Sequence, residues 1–138
     1  MSGMAIHHPA AGERIVHKTF PPITRHTLAL YCGASGDHNP IHVDTDFAKA
    51  AGFPDVFSHG MLVMAYLGQA LTDAVAPSNI RSFSTRFAAI TQLGARLTCE
   101  GHVSELIEHK GEKQAKLALT TKDENGEIKL AGEAIVAL

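Results

Sequence analysis

The 138-residue chain has no excess of positive charge, no long apolar run, no metal-type cysteine pattern and no internal repeat, and each absence removes a class of function. Lys+Arg number 12 and Asp+Glu 14, a formal charge of −2. A general nucleic-acid coat needs clustered positive charge, so no nucleic-acid partner is expected; a local basic patch for a phosphorylated small molecule remains open. The longest apolar stretch, Gly60 to Leu71, is well short of the roughly 20 residues that a membrane-spanning helix requires, so no membrane partner is expected. Cys32 and Cys99 form neither a Cys-x-x-Cys motif nor a zinc spacing, and both lie among apolar or small neighbours. That setting favours buried thiols in a reducing compartment over a disulfide. Residues 1–8 carry neither a basic leader nor an apolar segment, so a cytoplasmic protein is expected. No repeat, linker or low-complexity segment divides residues 1–138, which are read as one domain.

Hydrophobic residues make up 45% and charged residues 19%, enough to bury a core and too apolar for a disordered chain. Gly12 to Phe20 reads as a first strand, ended by Pro21 and Pro22. Thr24 is placed to cap a helix running to the glycine-rich Gly33–Gly36. Asp37 to Val43 must be irregular, because Pro40 lacks an amide donor and disfavours a helical Asn39. Asp44 can cap a short helix through Ala50, and Gly52 to Ser58 is a loop. Gly60 to Leu71 lacks period-two alternation; as a helix it is apolar on nearly every face and must be enclosed by other structure. Four strand-like runs follow, with Phe83, Thr85 and Phe87, then Leu97, Cys99, Gly101 and Val103, then Ala115, Leu117 and Leu119 each sharing a face. Asp123–Gly126 is a hairpin turn before a last strand from Ile128. A buried helix followed by an antiparallel meander able to curl around it is an α+β architecture.

Polar chemistry concentrates between residues 35 and 60. Asp37 and His42 are five residues apart on a segment that Pro40 keeps non-helical, so a tight loop can aim carboxylate and imidazole at one point. Such a pair can hold a water and pass protons to and from it, although Asp37 could instead only cap a turn. Gly60 would open the buried helix, where free backbone N–H groups can meet negative charge developing on a carbonyl oxygen. It could equally serve only the loop-to-helix transition.

Tyr31-Cys-Gly-Ala-Ser-Gly-Asp-His-Asn-Pro-Ile-His42, Phe47-Ala-Lys-Ala50 and Ser58-His-Gly-Met-Leu62 together resemble the hydratase-2 motif of the MaoC-like dehydratases. The resemblance runs from about Gly12 to the C-terminus. It implies a hot-dog fold, a curved antiparallel sheet around a long central helix. The implied reaction is reversible hydration of trans-2-enoyl thioesters of coenzyme A or acyl carrier protein to (R)-3-hydroxyacyl thioesters. By position, Asp37 and His42 match the catalytic pair, Asn39 its supporting amide, and Gly60 the oxyanion donor through its backbone N–H. No metal and no other cofactor is implied. The acyl chain would run along the buried helix, past Met61, Met64, Ala65 and Leu67, although an all-apolar helix needs core residues in any case and favours reading each of them as plain core. A single hot-dog unit leaves a sheet edge bare, so a homodimer with substrate near the subunit boundary is expected.

Some features depart from the pattern or compete with it. Ala88–Ala95 keeps Gly94 but lacks the prolines and acid that many relatives carry after Arg86-Phe87. His38 stands where relatives often have an apolar residue and is read as exposed, and Ala65 where some short-chain hydratases carry serine. His42-Val-Asp44 could begin an iron site completed by His102 or His109, against which Asp44 is a sufficient helix cap. A non-catalytic acyl-thioester-binding subunit of a heterodimeric dehydratase, and a hot-dog thioesterase, are the alternative functions.

Overall fold

In the computed structural model, which describes residues 9–138, the chain runs β1 (Arg14–Thr19), α1 (Arg25–Ser35), α2 (Thr45–Ala50), α3 (Gly60–Ala74), β2 (Ile80–Phe87), β3 (Thr98–His109), β4 (Glu112–Lys122) and β5 (Ile128–Ala137). The leaderless reading of residues 1–8 lies outside the described residues. The five strands form one antiparallel sheet in the order β1-β3-β4-β5-β2. None of the described helices is long and apolar enough to cross a membrane.

Local chemistry sets most boundaries. The Thr24 hydroxyl accepts from the Thr27 amide at the start of α1, and Gly36 ends that helix at φ 77°, a conformation that costs glycine nothing. Asp44 caps α2 by accepting from the Phe47 amide. β3 and β4 meet across Lys110 and Gly111, both at positive φ (50° and 81°), the backbone of a two-residue type I′ hairpin. At the β4–β5 turn the Asp123 carboxylate accepts from the amides of Asn125 and Glu127.

The expected inward faces of the meander are buried: Leu97, Cys99 and Val103 of the β3 run, Ala115, Leu117 and Leu119 of β4, then Leu130, Ala134 and Val136 of β5. Against them lies α3, which reaches Ala74, three residues beyond the expected Leu71, and packs on β1, β3, β4 and β5. Leu62, Val63, Leu67, Ala70 and Leu71 form its buried side. Each large aliphatic side chain removed from water contributes roughly 1.5–3 kcal/mol, so this single contact accounts for a large share of the core. Lys18 of β1 ties the far end of the helix by an ion pair to Asp73.

The enclosure is less complete than an all-apolar helix demands. Met61 is 55% exposed and Ala65, one turn on, is exposed too. Phe87, expected to point inward with Phe83 and Thr85, is 53% exposed. One sheet can cover only one side of a helix. Edge strand β2 pairs with β5 alone, and beyond it the flank of α3 stays bare.

Gly132 of β5 faces Thr85 of β2, and a Cβ there would lie 2.1 Å from the Ser84 carbonyl oxygen and 2.9 Å from the Thr85 Cα. Backbone cannot swing aside as a flexible side chain can. Gly132→Ala is therefore expected to destabilise the protein by at least ~3 kcal/mol, the upper part of the overpacking range. Urea unfolding measures this; a loss under 1 kcal/mol would mean that β2 is not seated on β5 as described.

Candidate active site

The polar cluster forms where the irregular segment after α1 meets the start of α3. Asp37 opens a run of side-chain-to-backbone bonds: its amide donates to the Ser35 hydroxyl, and its Oδ1 accepts from the Asn39 amide at 3.2 Å. Asn39 in turn caps a 3-10 turn over Pro40–His42 by accepting from the Ile41 amide at 3.1 Å. These short-range bonds hold the segment that Pro40 bars from the helix, and they bring His42 back toward Asp37. His42 Nε2 lies 3.9 Å from Asp37 Oδ2.

His42 is buried, whereas Asp37 stands half in solvent. The other ring nitrogen of His42, Nδ1, is 2.7 Å from the Phe57 carbonyl oxygen. A carbonyl can only accept, so Nδ1 carries the proton. Nε2 is left with its lone pair directed toward the carboxylate. The ring edge also rests against Phe57, with centroids 5.4 Å apart.

Beneath His42 lies His59, stacked at 3.8 Å between centroids and 26° between planes. It is 1% exposed. Burial first, and then the neighbouring His42, push its pKa below the ordinary histidine value. Gly60 follows directly and opens α3. The first intrahelical bond runs from the Val63 amide to the His59 carbonyl at 3.4 Å, so the Gly60, Met61 and Leu62 amides have no partner inside the helix. They start one peptide bond from the ring stacked on His42. An ideal Cβ at Gly60 would sit 3.0 Å from the Phe87 ring, which therefore packs directly over this glycine.

A cavity of about 310 Å³ opens at the same place, lined by Phe57, Ser58, Gly60, Val63, Phe87, residues 88–91, Lys129 and Leu130. Its wall is tied down by the Lys129 ammonium, 3% exposed, which donates to the Ile90 carbonyl and pairs with Asp123 and Glu127. Burial raises the Asp123 carboxyl, but the Glu127 and Asn125 amides and Lys129 outweigh that and hold it below the usual range. The Ser58 amide donates to the Thr91 carbonyl at 2.9 Å, which fastens this wall to the residues before α3.

The sequence-derived candidates thus separate into two groups. Asp37, Asn39 and His42 are brought together, with Gly60 close by in the chain to His59. Of the expected acyl-chain residues, Met61 and Ala65 lie on the bare flank of α3, Met64 is half-buried and Leu67 is fully buried among core residues. Apart from Gly60, the cavity is lined by residues to which the sequence reading gave no substrate role, among them Phe57, Phe87 and Lys129. His59 was likewise missed, although its place just before Gly60 was a usable signal. His38 is exposed, as expected, and the Asp44 carboxylate is engaged at the α2 cap.

Asp37, His42 and His59 offer ligand-type atoms within 4.8 Å of one another. His42 Nδ1 lies 2.7 Å from the Phe57 carbonyl and His59 Nε2 lies 3.4 Å from the Asp37 carbonyl, contacts that also suit a proton-transfer site.

Residues 8–125 match the family described as the MaoC like domain. The chain belongs to that family. The MaoC-like chain is 35% identical over 80 residues to a peroxisomal enoyl-CoA hydratase 2 of Arabidopsis thaliana, covering 56% of this chain and 26% of the plant protein. Over 73 residues it is 37% identical to an enoyl-CoA hydratase of Mycobacterium tuberculosis, covering 51% and 26%. It therefore spans about a quarter of the length of these curated relatives. Among solved structures, an R-hydratase from Pseudomonas aeruginosa superposes with a TM-score of 0.80 at 28% identity, covering 93% of this chain and 81% of the other. An (R)-hydratase from A. caviae also gives 0.80, at 23% identity, and shares the fold. The five-stranded antiparallel sheet on a long helix is the hot-dog fold of these structures, as the motif implied.

The loops of the MaoC-like site are clamped from outside by Arg25, at the start of α1. It donates to Thr45 at 2.8 Å and to both carboxylate oxygens of Asp55, at 3.1 and 2.5 Å. With further bonds from the Val56 amide and Thr45, Arg25 lowers the Asp55 pKa from 3.8 to about 2. A carboxyl depressed in the folded state adds stability above its unfolded value, and that stability is lost as pH falls from about 4 toward 2. Arg25→Leu is expected to return the Asp55 titration toward 3.8 and to move acid unfolding to higher pH. Carboxyl NMR and a pH titration of circular dichroism check both; an unmoved Asp55 would contradict the clamp.

Proposed function

We propose that the chain catalyses reversible hydration of trans-2-enoyl thioesters to (R)-3-hydroxyacyl thioesters, as a hydro-lyase on coenzyme A or acyl-carrier-protein substrates. The observation that carries the reading is the commitment of His42 Nδ1–H to the Phe57 carbonyl. It leaves Nε2 as a base 3.9 Å from the Asp37 carboxylate. Both atoms can reach one water lying to the side of the line that joins them. The (R)-hydratase and enoyl-CoA hydratase names borne by the similar proteins support the same reaction.

In the hydration direction, Asp37 accepts one hydrogen of the water and His42 Nε2 the other. The water oxygen forms a bond to C3 of the enoyl group as its proton passes to His42. The double-bond electrons shift through C2 to the thioester oxygen as an enolate. His42 then delivers that proton to C2 from the same face, so one water has been added and both side chains end as they began. The enolate charge is met by the Gly60 amide at the positive end of α3, a donor already in place before the charge develops. Asn39 holds the loop that presents Asp37. Dehydration is the reverse path.

The thioester enters by the cavity at Gly60, and the acyl chain follows the open flank of α3 past Met61, Met64 and Ala65, while Leu67, 0% exposed, belongs to the core and not to the acyl path. Edge strand β2 and the exposed Met61, Ala65 and Phe87 support a homodimer that covers this flank. The two buried, unpaired thiols support a cytoplasmic setting.

Purified protein is expected to remove the enoyl-thioester absorbance of crotonyl-CoA. Asp37→Asn and His42→Ala should each lower kcat by about 10²–10⁴-fold, the size of a lost general acid–base group. Equal rates for wild type and Asp37→Asn would sink the assignment. Light scattering is expected to give twice the 14.7 kDa chain mass; a fully active monomer would contradict the dimer.

A further inference from the structure

His59 is the buried titratable group that the reaction above leaves unused. Its ring is held on three sides: the His42 ring stacks on one face, Tyr31 approaches edge-on at 4.7 Å, and Cys32 Sγ lies 3.4 Å from Nε2. Nε2 is also 3.4 Å from the backbone carbonyl oxygen of Asp37. Nδ1 is buried with no hydrogen-bond partner.

One neutral form fits these contacts best. With the proton on Nε2, the ring donates toward the Asp37 carbonyl and Nδ1 is a bare lone pair. With the proton on Nδ1, a buried donor is orphaned, and Nε2 faces the carbonyl lone pairs with only the weak Cys32 thiol as a donor. A cation would orphan the same donor and add a charge in a site where the one facing carboxylate, Asp37, lies beside His42. The charged and titratable groups around the ring are Tyr31 and Cys32 from α1 and Asp37 and His42 from the loop.

We propose that His59 is the positioning residue of this site, a permanently neutral imidazole that fixes the Asp37 backbone through Nε2–H and the His42 ring through stacking. One side chain thereby sets the separation of the two groups that share the water. Its neutrality has a second use. When His42 takes the water's proton, the new imidazolium lies over a ring that carries no charge of its own. A second imidazolium there would repel it.

The inference rests on the hydratase reading for its kinetic consequence but not for its structural one, so two kinds of measurement separate them. ¹⁵N NMR of wild-type protein without substrate is expected to show His59 in the Nε2–H form, unchanged between about pH 5.5 and 8. A His59 that titrates in this range, or sits as the Nδ1–H form, overturns the proposal whatever the enzyme does. His59→Phe keeps the stacking face and loses the donor, whereas His59→Gln keeps a donor and loses the face. Each is expected to lower crotonyl-CoA kcat at least 10-fold. Butyryl-CoA, which has no double bond to hydrate, should still bind both with unchanged Kd and one molecule per site. That titration counts intact sites, so a partly unfolded sample cannot mimic the result. Wild-type turnover in either variant overturns the dual role. A wild-type protein with no hydratase activity instead defeats the functional reading, and the NMR result still judges His59.

Discussion

A helix without a polar face is the constraint from which the rest of this molecule follows. Bare in water, α3 would expose leucines, valine and methionines along its length, so a sheet has to wrap it. The inward faces of β3, β4 and β5 are the apolar surfaces that do so. Enclosing the shaft leaves the two ends as the places where polar groups can gather. At the first end the helix opens at Gly60, next to His59, whose ring stacks on His42 of the loop that carries Asp37. Packing of the core thus determines where the polar cluster forms.

The second requirement is that polar groups drawn into this end keep partners, because an unpaired buried donor or acceptor costs roughly 1–3 kcal/mol. The chain meets it largely with backbone, His59 Nδ1 being the exception. Phe57 supplies a carbonyl to His42, Thr91 one to Ser58, Ile90 one to Lys129, and Asp37 one to His59. Each of these bonds also fastens one segment of the rim to another. The bonds that hold the site together are those that select its protonation states, most clearly at His42, where a single carbonyl decides which nitrogen is free.

Local features of the sequence were legible where a residue acts on its neighbours. Thr24, Asp44 and Gly36 mark helix ends because a cap acts within three residues, and Pro40 opens a 3-10 turn because its ring fixes φ and removes its amide donor. The alternation in β3 and β4 identified the inward face for the same reason. The closeness of Asp37 and His42 was legible because both lie on one short loop. Features that join distant segments were not. The carbonyl that orients His42 is 15 residues away in sequence, and a backbone acceptor carries no mark of residue type. The cavity wall at 87–91 comes from beyond α3, and Lys129, a charged residue in a strand, gave no hint that it would be buried.

By itself the sequence determined the class of fold, the buried helix and the Asp-x-Asn-Pro-x-His loop, since hydrophobic period, caps and proline act over a few residues. Only the tertiary structure decided that His59 lies under His42, that Phe87 covers Gly60, and that one flank of α3 stays open. Those outcomes depend on how a five-stranded sheet sits against a helix. A sheet covers one side and stops at its edge strand, whatever the helix behind it would prefer.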